Sequence, residues 1–327
     1  SMTICIFGLG LIGGSMAMDW RKAGVATRFV GVDANETHGK HALELGLIDA
    51  YVTQDEAVAE ADVLLMAIPV NALGMLIPKV LDHVKPNTVV IDAGSTKQRI
   101  CAAVRAHPNR AQFVAAHPIA GTENSGPTAA LAGLFKNKTN IICEPEKSSA
   151  QALTVASRLF DALEMKTIYM EPEEHDRHVA YVSHLSHVSS FLLGQTVLDI
   201  EKDEKNIFNL AGSGFTSTVR LAKSSPEMWA PIFEQNAEYL SQALLEYIMH
   251  LQRFQHALMK RDVKELQRVM REANRIRSVL EGIEVKQQKP KLTSPPDPLS
   301  EGEGGGTAKP AGEAYPNSIL PQQKINI

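Results

Sequence analysis

Apolar residues in the first half of the chain fall into short runs separated by stretches of helical period. The runs at 3–7, 28–33, 62–68, 88–92, 112–116, 140–143 and 166–169 are short and rich in Ile, Val and Leu. Continuous apolar runs of this kind read as strands buried on both faces. Apolar residues three and four apart at 12–23, 36–45, 71–81, 97–106 and 149–163 predict helices between most of them. Such alternation predicts an α/β fold of Rossmann type, a doubly wound, mostly parallel sheet covered on both sides.

After Glu171-Pro172 the pattern loses nearly all strand character. One long helical pattern spans 231–260, with Ile232, Phe233, Leu240, Leu244, Ile248, Leu251 and Phe254 on its apolar positions, and a second spans 263–280. The expected organisation is an α/β domain over 1–171 and an all-α domain over 172–284. An elongated helical unit rarely hides its own apolar surface, so a homodimer through it is expected. From 285 to 327 the chain is rich in Pro and Gly and poor in large apolar groups, and is expected to be disordered or loosely attached.

The 327 residues are 44% hydrophobic with a formal net charge of -4, so no basic excess points to nucleic acid. No apolar run approaches the roughly 18 residues of a membrane span. Cys5, Cys101 and Cys143 lie far apart, which suits a reducing compartment and opposes a disulfide framework or a zinc site. With a strand opening the chain and no leader pattern, a cytoplasmic protein is expected.

Gly8, Gly10 and Gly13 form GxGxxG between the run TICIF and a helical segment, with Leu11 and Ile12 inside the motif. The glycines permit a tight turn, close approach of a pyrophosphate and close helix–strand packing, and the helix N-terminus offers amides to phosphate. Asp33 ends the second predicted strand, where a carboxylate accepts ribose hydroxyls and repels a 2′-phosphate. No Lys or Arg directly follows it, so NAD is the expected cofactor rather than NADP. Ile68-Pro69 follow a third strand, beside the expected cofactor.

Ligands of open parallel sheets sit at the carboxyl ends of strands. Ser95 follows one such end and either bonds a ligand or caps the next helix. His117 follows the next, and an imidazole there suits removal of a hydroxyl proton during hydride transfer. In the helical part, His184 and His187 are three apart on one face, but no further ligand is suitably spaced for a metal. Arg220 offers a planar fork for a carboxylate, or else a surface ion pair.

Taken together, GLGLIGGS, GVD, DAGSTK, HPIAGTENSG, EEHDRHVAYVSHLSH and FTSTVRLAKSSPEMW resemble the prephenate dehydrogenase family, which includes arogenate and cyclohexadienyl dehydrogenases. The resemblance spans about residues 2 to 283. It implies NAD-dependent oxidative decarboxylation of prephenate to 4-hydroxyphenylpyruvate, the precursor of tyrosine, in a dimer. It implies that His117 takes the ring hydroxyl proton, that Ser95 bridges substrate and nicotinamide, and that Glu123 orients or gates the site. It further implies that Arg220 holds a substrate carboxylate and that His184 and His187 line the pocket, His187 toward the pyruvyl side chain. A histidine there suits a keto acid better than an ammonium group, which favours prephenate over arogenate. A β-hydroxyacid dehydrogenase would need a catalytic lysine, for which only Lys223 is near, and would leave His117 without a role. A non-catalytic NAD sensor gives no reason for His117, His187 and Arg220 to converge.

Overall fold

In the computed structural model, which describes residues 1–122 and 124–288, the first half builds one eight-stranded sheet. Its strands are β1 (Thr3–Phe7), β2 (Arg28–Val32), β3 (Ala50–Tyr51), β4 (Val63–Met66), β5 (Val89–Asp92), β6 (Phe113–Pro118), β7 (Thr139–Cys143) and β8 (Lys166–Met170). They lie in the order β3-β2-β1-β4-β5-β6-β7-β8. All neighbours are parallel except β6 and β7. The strand order reverses between β1 and β4, which opens a crevice at their carboxyl ends.

Helices α1 (Leu11–Ala23), α2 (Glu36–Glu44), α3 (Gln54–Glu60), α4 (Val70–His83), α5 (Gln98–Val104) and α6 (Ala150–Ala162) cover this sheet. Alternate strand residues feed opposite faces, as the pleat requires. Ile4, Ile6, Val63 and Leu65 pack with Trp20 of α1 and Phe160 of α6. Cys5, Phe7, Leu64 and Met66 pack with Ile77 of α4 and Ile100 of α5. The Trp20 indole N–H is satisfied by the Leu159 carbonyl at 2.9 Å, tying α1 to α6.

The rest is helical: α7 (Pro172–Val179), α8 (Leu185–Glu201), α9 (Ser213–Val219), α10 (Pro226–Gln235), α11 (Ala237–Met259), α12 (Val263–Ala273) and α13 (Ile276–Gln288). Between α7 and α8 the chain makes a π turn over Ala180–His184. Of the 17 residues of α8 only Ser190 is buried. Apolar side chains stay exposed across this half, Leu210 at 88% and Met259 at 77% among them. Ile232 and Trp229 of α10 anchor it against the α4–α5 face of the sheet.

Several expectations change. The single helix over 231–260 is two helices, because Asn236 leaves helical geometry and turns its buried amide to Asp176 and His184. The sequence pattern also missed β3 and α3, which are too short to show a period. Helix α13 runs past position 284, and the remainder of the expected tail lies outside the described residues. Strand β6 continues through His117 and Pro118, two residues beyond its expected end, because β7 pairs with it antiparallel out to Pro118↔Asn140.

Candidate active site

At the crevice, β1 passes into the turn Gly8–Gly10 and then α1. Gly8 has φ +94, and a Cβ there would stand 2.1 Å from the Ala67 carbonyl oxygen after β4. A Cβ on Gly13 would meet the Gly8 carbonyl oxygen at the same distance, so helix and turn pack without clearance. Gly10 is different: a Cβ there meets nothing within 4 Å. It caps α1 with no side-chain hydrogen bond, which leaves the first-turn amides for an anion. Leu11 is buried, and Ile12 is half-buried with its side chain packed against the core of the sheet. Ile68 is half-buried and Pro69 exposed at the end of β4.

Asp33 follows β2. One carboxylate oxygen accepts the Leu9 N–H at 2.8 Å and the other accepts the Asn35 N–H at 2.8 Å. The side chain thus holds the glycine turn against β2 while staying partly exposed. It borders an open cleft of about 350 Å³, lined also by Val32, Ala34, Tyr51, Thr53 and Gln54. Tyr51 donates its hydroxyl to the Asp33 carbonyl at 3.0 Å. The open side of Gly10, the bare helix terminus and this acid-edged cleft fit a dinucleotide.

Beyond the crevice, β5 ends at the buried Asp92. One of its oxygens accepts the Ala116 N–H at 3.0 Å, immediately before His117. The other accepts the Gly94 N–H and pairs with the ammonium of Lys97, a fully buried lysine. Removing one partner of such a buried pair leaves an uncompensated charge and costs roughly 3–5 kcal/mol. Ser95 sits half-buried in this loop but caps nothing. The cap of α5 comes from the helical half: the Asp176 carboxylate accepts the Lys97 N–H at 2.8 Å and the Gln98 N–H at 3.0 Å.

The same carboxylate begins a chain of imidazoles. His175 Nδ1 lies 2.8 Å from Asp176 Oδ1, and His175 Nε2 lies 2.6 Å from His117 Nδ1. All three side chains are buried, with His117 at 8% exposure. Burial holds His117 well below the ordinary histidine range, reinforced by His175, Lys97 and His184. Burial also lowers His175, against the pull of Asp176. Both rings are therefore neutral near pH 7. The motif EEHDRH announced His175 and Asp176 as polar residues, but nothing in the sequence paired them with a strand some sixty positions earlier.

His184 and His187 serve different surroundings. His184 Nδ1 faces the Asn236 amide at 3.0 Å, and that amide also donates to the Asp176 carbonyl at 2.8 Å. An amide N–H₂ that donates to a carbonyl leaves His184 Nδ1 as acceptor, so its proton is on Nε2. Burial pushes His184 down to about 4. His184 Nε2 and the Thr96 hydroxyl are buried with no partner among the described residues, the usual mark of a functional interior. Nine residues separate His184 from His175, about two and a half α turns. The intervening π turn is what brings both to the Asp176 side.

His187 stacks on Trp229 with centroids 3.5 Å apart, and its Nδ1 lies 3.0 Å from the Ser183 carbonyl. A carbonyl only accepts, so the proton is on Nδ1 and Nε2 is an acceptor in the neutral ring. Burial lowers His187, and nearby Arg220 lowers it further. Arg220 itself is exposed, first in the 3₁₀ turn Arg220–Lys223. His117, His175, His184 and Asp176 thus share one buried network, with His187 and Arg220 on its helical side. Glu123 lies outside the described residues. Trp229 and Asn236 were not singled out from the sequence, since each reads as an ordinary helix residue.

The model of the prephenate dehydrogenase nucleotide-binding domain matches residues 16–169, and that of the prephenate dehydrogenase dimerization domain matches residues 171–272. The prephenate dehydrogenase of Bacillus subtilis is 31% identical over 281 residues, covering 85% of this chain and 76% of that protein. The cyclohexadienyl dehydrogenase of Zymomonas mobilis is 31% identical over 280 residues, covering 85% and 95%. The crystal structure of Aquifex aeolicus prephenate dehydrogenase with hydroxyphenyl propionate and NAD+ aligns with a TM-score of 0.78 at 29% identity, covering 86% of this chain and 98% of that one.

Proposed function

The chain belongs to the prephenate dehydrogenase family, and on that premise we propose that it oxidatively decarboxylates prephenate to 4-hydroxyphenylpyruvate with NAD. The observation that carries the reading is a buried, neutral His117 whose Nδ1 is engaged by His175, leaving Nε2 without a hydrogen bond among the described residues, at the end of a strand of the same sheet that forms the dinucleotide crevice.

Bound NAD supplies the hydride acceptor, with Gly8–Gly13 around its pyrophosphate and Asp33 at its adenosine ribose. His117 Nε2 removes the proton of the ring hydroxyl as that carbon loses its hydride and becomes a carbonyl. The bond from the ring to its carboxylate then breaks, carbon dioxide leaves, and the electron pair makes the ring a phenolate. His117 returns its proton to that phenolate oxygen. No proton is released overall, so the base need not exchange a proton with bulk water during turnover. Ser95 bridges substrate and nicotinamide, Arg220 holds the side-chain carboxylate, and His184 and His187 line the pocket. Two copies associate through the exposed apolar faces of the helical half, in line with the match to a dimerization domain.

A second reading, use of arogenate as well, is favoured by His187. Its acceptor Nε2, close to the cation that takes the carboxylate, suits a neighbouring ammonium at least as well as a ketone. This weakens the expectation that a histidine at this position selects the keto acid. The deciding experiment follows NADH absorbance with prephenate and arogenate side by side. Turnover of prephenate is expected, and activity on neither substrate rejects the function. In the same assay NAD should be preferred over NADP, and Asp33→Ser should narrow the gap; equal use of both cofactors by the unmutated enzyme contradicts the role given to Asp33.

A further inference from the structure

We propose that His175 and Asp176 are positioning residues that fix the protonation pattern of His117, making Nε2 the basic nitrogen. The inference rests on the reading of His117 as the base and adds what makes it one. Asp176 Oδ1 is a carboxylate oxygen and accepts, so the proton of neutral His175 lies on Nδ1. His175 Nε2 is then a lone pair. At 2.6 Å it accepts from His117 Nδ1–H, and the lone pair of His117 falls on Nε2. Each assignment follows from the one before it, and the first is set by a group that cannot donate when ionised.

Asp176 is held in turn. Its carboxylate accepts the Lys97 and Gln98 amides at the start of α5, and its carbonyl accepts the Asn236 amide. The chain therefore joins the strand bearing His117, the first turn of α5 and the break between α10 and α11. Lys97, paired with Asp92, and His184 are the other titratable groups that bear on His117, and both disfavour its protonation. Without an acceptor at the His175 position, His117 Nδ1 loses its partner and the ring is free to turn or to carry its proton on Nε2.

The experiment has two arms. In the first, nitrogen-15 NMR of histidine-labelled full-length protein, with His117→Asn to assign the signal, reads the His117 tautomer directly. A proton on Nδ1 is expected, and a proton on Nε2 overturns the proposal whatever the enzyme's activity. In the second, His175→Gln keeps an amide oxygen near the Nε2 position, while His175→Phe keeps a ring without an acceptor. The expected order of kcat is wild type, then His175→Gln, then His175→Phe, the last down roughly 10²-fold or more as lost general base catalysis. NAD affinity and KM should stay within about twofold. Equal loss in both variants, or wild-type kcat in His175→Phe, rejects the positioning role. The NMR arm stands if His175→Phe does not fold. A proton on Nδ1 in a protein whose His117→Asn variant retains turnover would reject the base assignment and leave the relay intact.

Discussion

The glycine turn and the imidazole chain solve opposite problems. The turn spans Gly8 to Gly13 and works through what is missing: no Cβ at Gly8 or Gly13, where one would stand 2.1 Å from a carbonyl oxygen, and nothing at all over Gly10. Its distant hydrogen bonds come from the end of β2, where the Val32 carbonyl accepts the Gly8 N–H and the Asp33 carboxylate accepts the Leu9 N–H. The chain His117–His175–Asp176 works through what is present, and its members come from β6 and α7, fixed by groups on α5 and before α11. A binding loop needs backbone amides and space, which a short segment supplies. A directional proton path needs acceptors in a set order, which only long-range packing supplies.

The widest separation between the two regions should come from His117→Asn. Turnover should fall by roughly 10²-fold or more, with the NAD dissociation constant from isothermal titration unchanged. Near wild-type turnover would remove His117 from the chemistry and merge the two regions into one binding site.

Acid should also act on the imidazole chain rather than on the glycine turn. His184 is lowered to about 4 in the fold, against 6.5 unfolded. The unfolded chain therefore takes up protons first as pH falls. The stability contributed by neutral His184 is complete above about pH 6.5 and is lost progressively toward pH 4. Its size is on the order of 3 kcal/mol for a shift of this extent. His117 and His175 are lowered too and act in the same direction. Urea unfolding at pH 7, 5.5 and 4.5 and fixed protein concentration should show declining stability, whereas equal midpoints would mean that these rings are hydrated. The acid limb of kcat should likewise lie below the ordinary histidine range.

Arg220 tests whether the helical side binds or reacts. A charge-assisted bond to a carboxylate contributes about 1.5–3 kcal/mol. Arg220→Ala should raise KM for prephenate roughly ten- to a hundredfold, with kcat and NAD affinity little changed. A flat KM would make Arg220 part of a surface ion pair.

The two regions also differ in how far the sequence discloses them. The parallel core, the glycine turn and Asp33 follow from apolar runs and local spacing, and six of the eight strands have buried, nearly continuous patterns. His117 was legible as a histidine near a strand end, although β6 extends beyond it. Its partner His175 was not, because fifty-eight positions separate the two and no periodicity links a strand to a helix in another layer. The cap of α5 by Asp176 was hidden for the same reason, and Ser95 looked like the local answer. Asn236 interrupts an apolar pattern that continues on either side of it, so the break shows only in its buried amide bonds.

The smallest effects come from the turn itself, and there they separate folding from binding. Gly8 combines φ +94 with a Cβ position 2.1 Å from the Ala67 carbonyl, so Gly8→Ala carries both left-handed strain and a backbone clash. Its cost should reach about 2 kcal/mol or more, and the melting temperature of the apo protein should drop with NAD affinity. Gly10 has extended backbone and open space on its Cβ side, so Gly10→Ala should leave the apo melting temperature within about a degree. The added methyl stands where the pyrophosphate would approach α1, and an NAD affinity about tenfold weaker corresponds to 1.4 kcal/mol. Thermal unfolding with and without NAD on the two variants reads both quantities. If Gly10→Ala binds NAD like the wild type, the dinucleotide does not pass over this turn, and the dinucleotide assignment for the first region fails while the imidazole chain of the second is untouched.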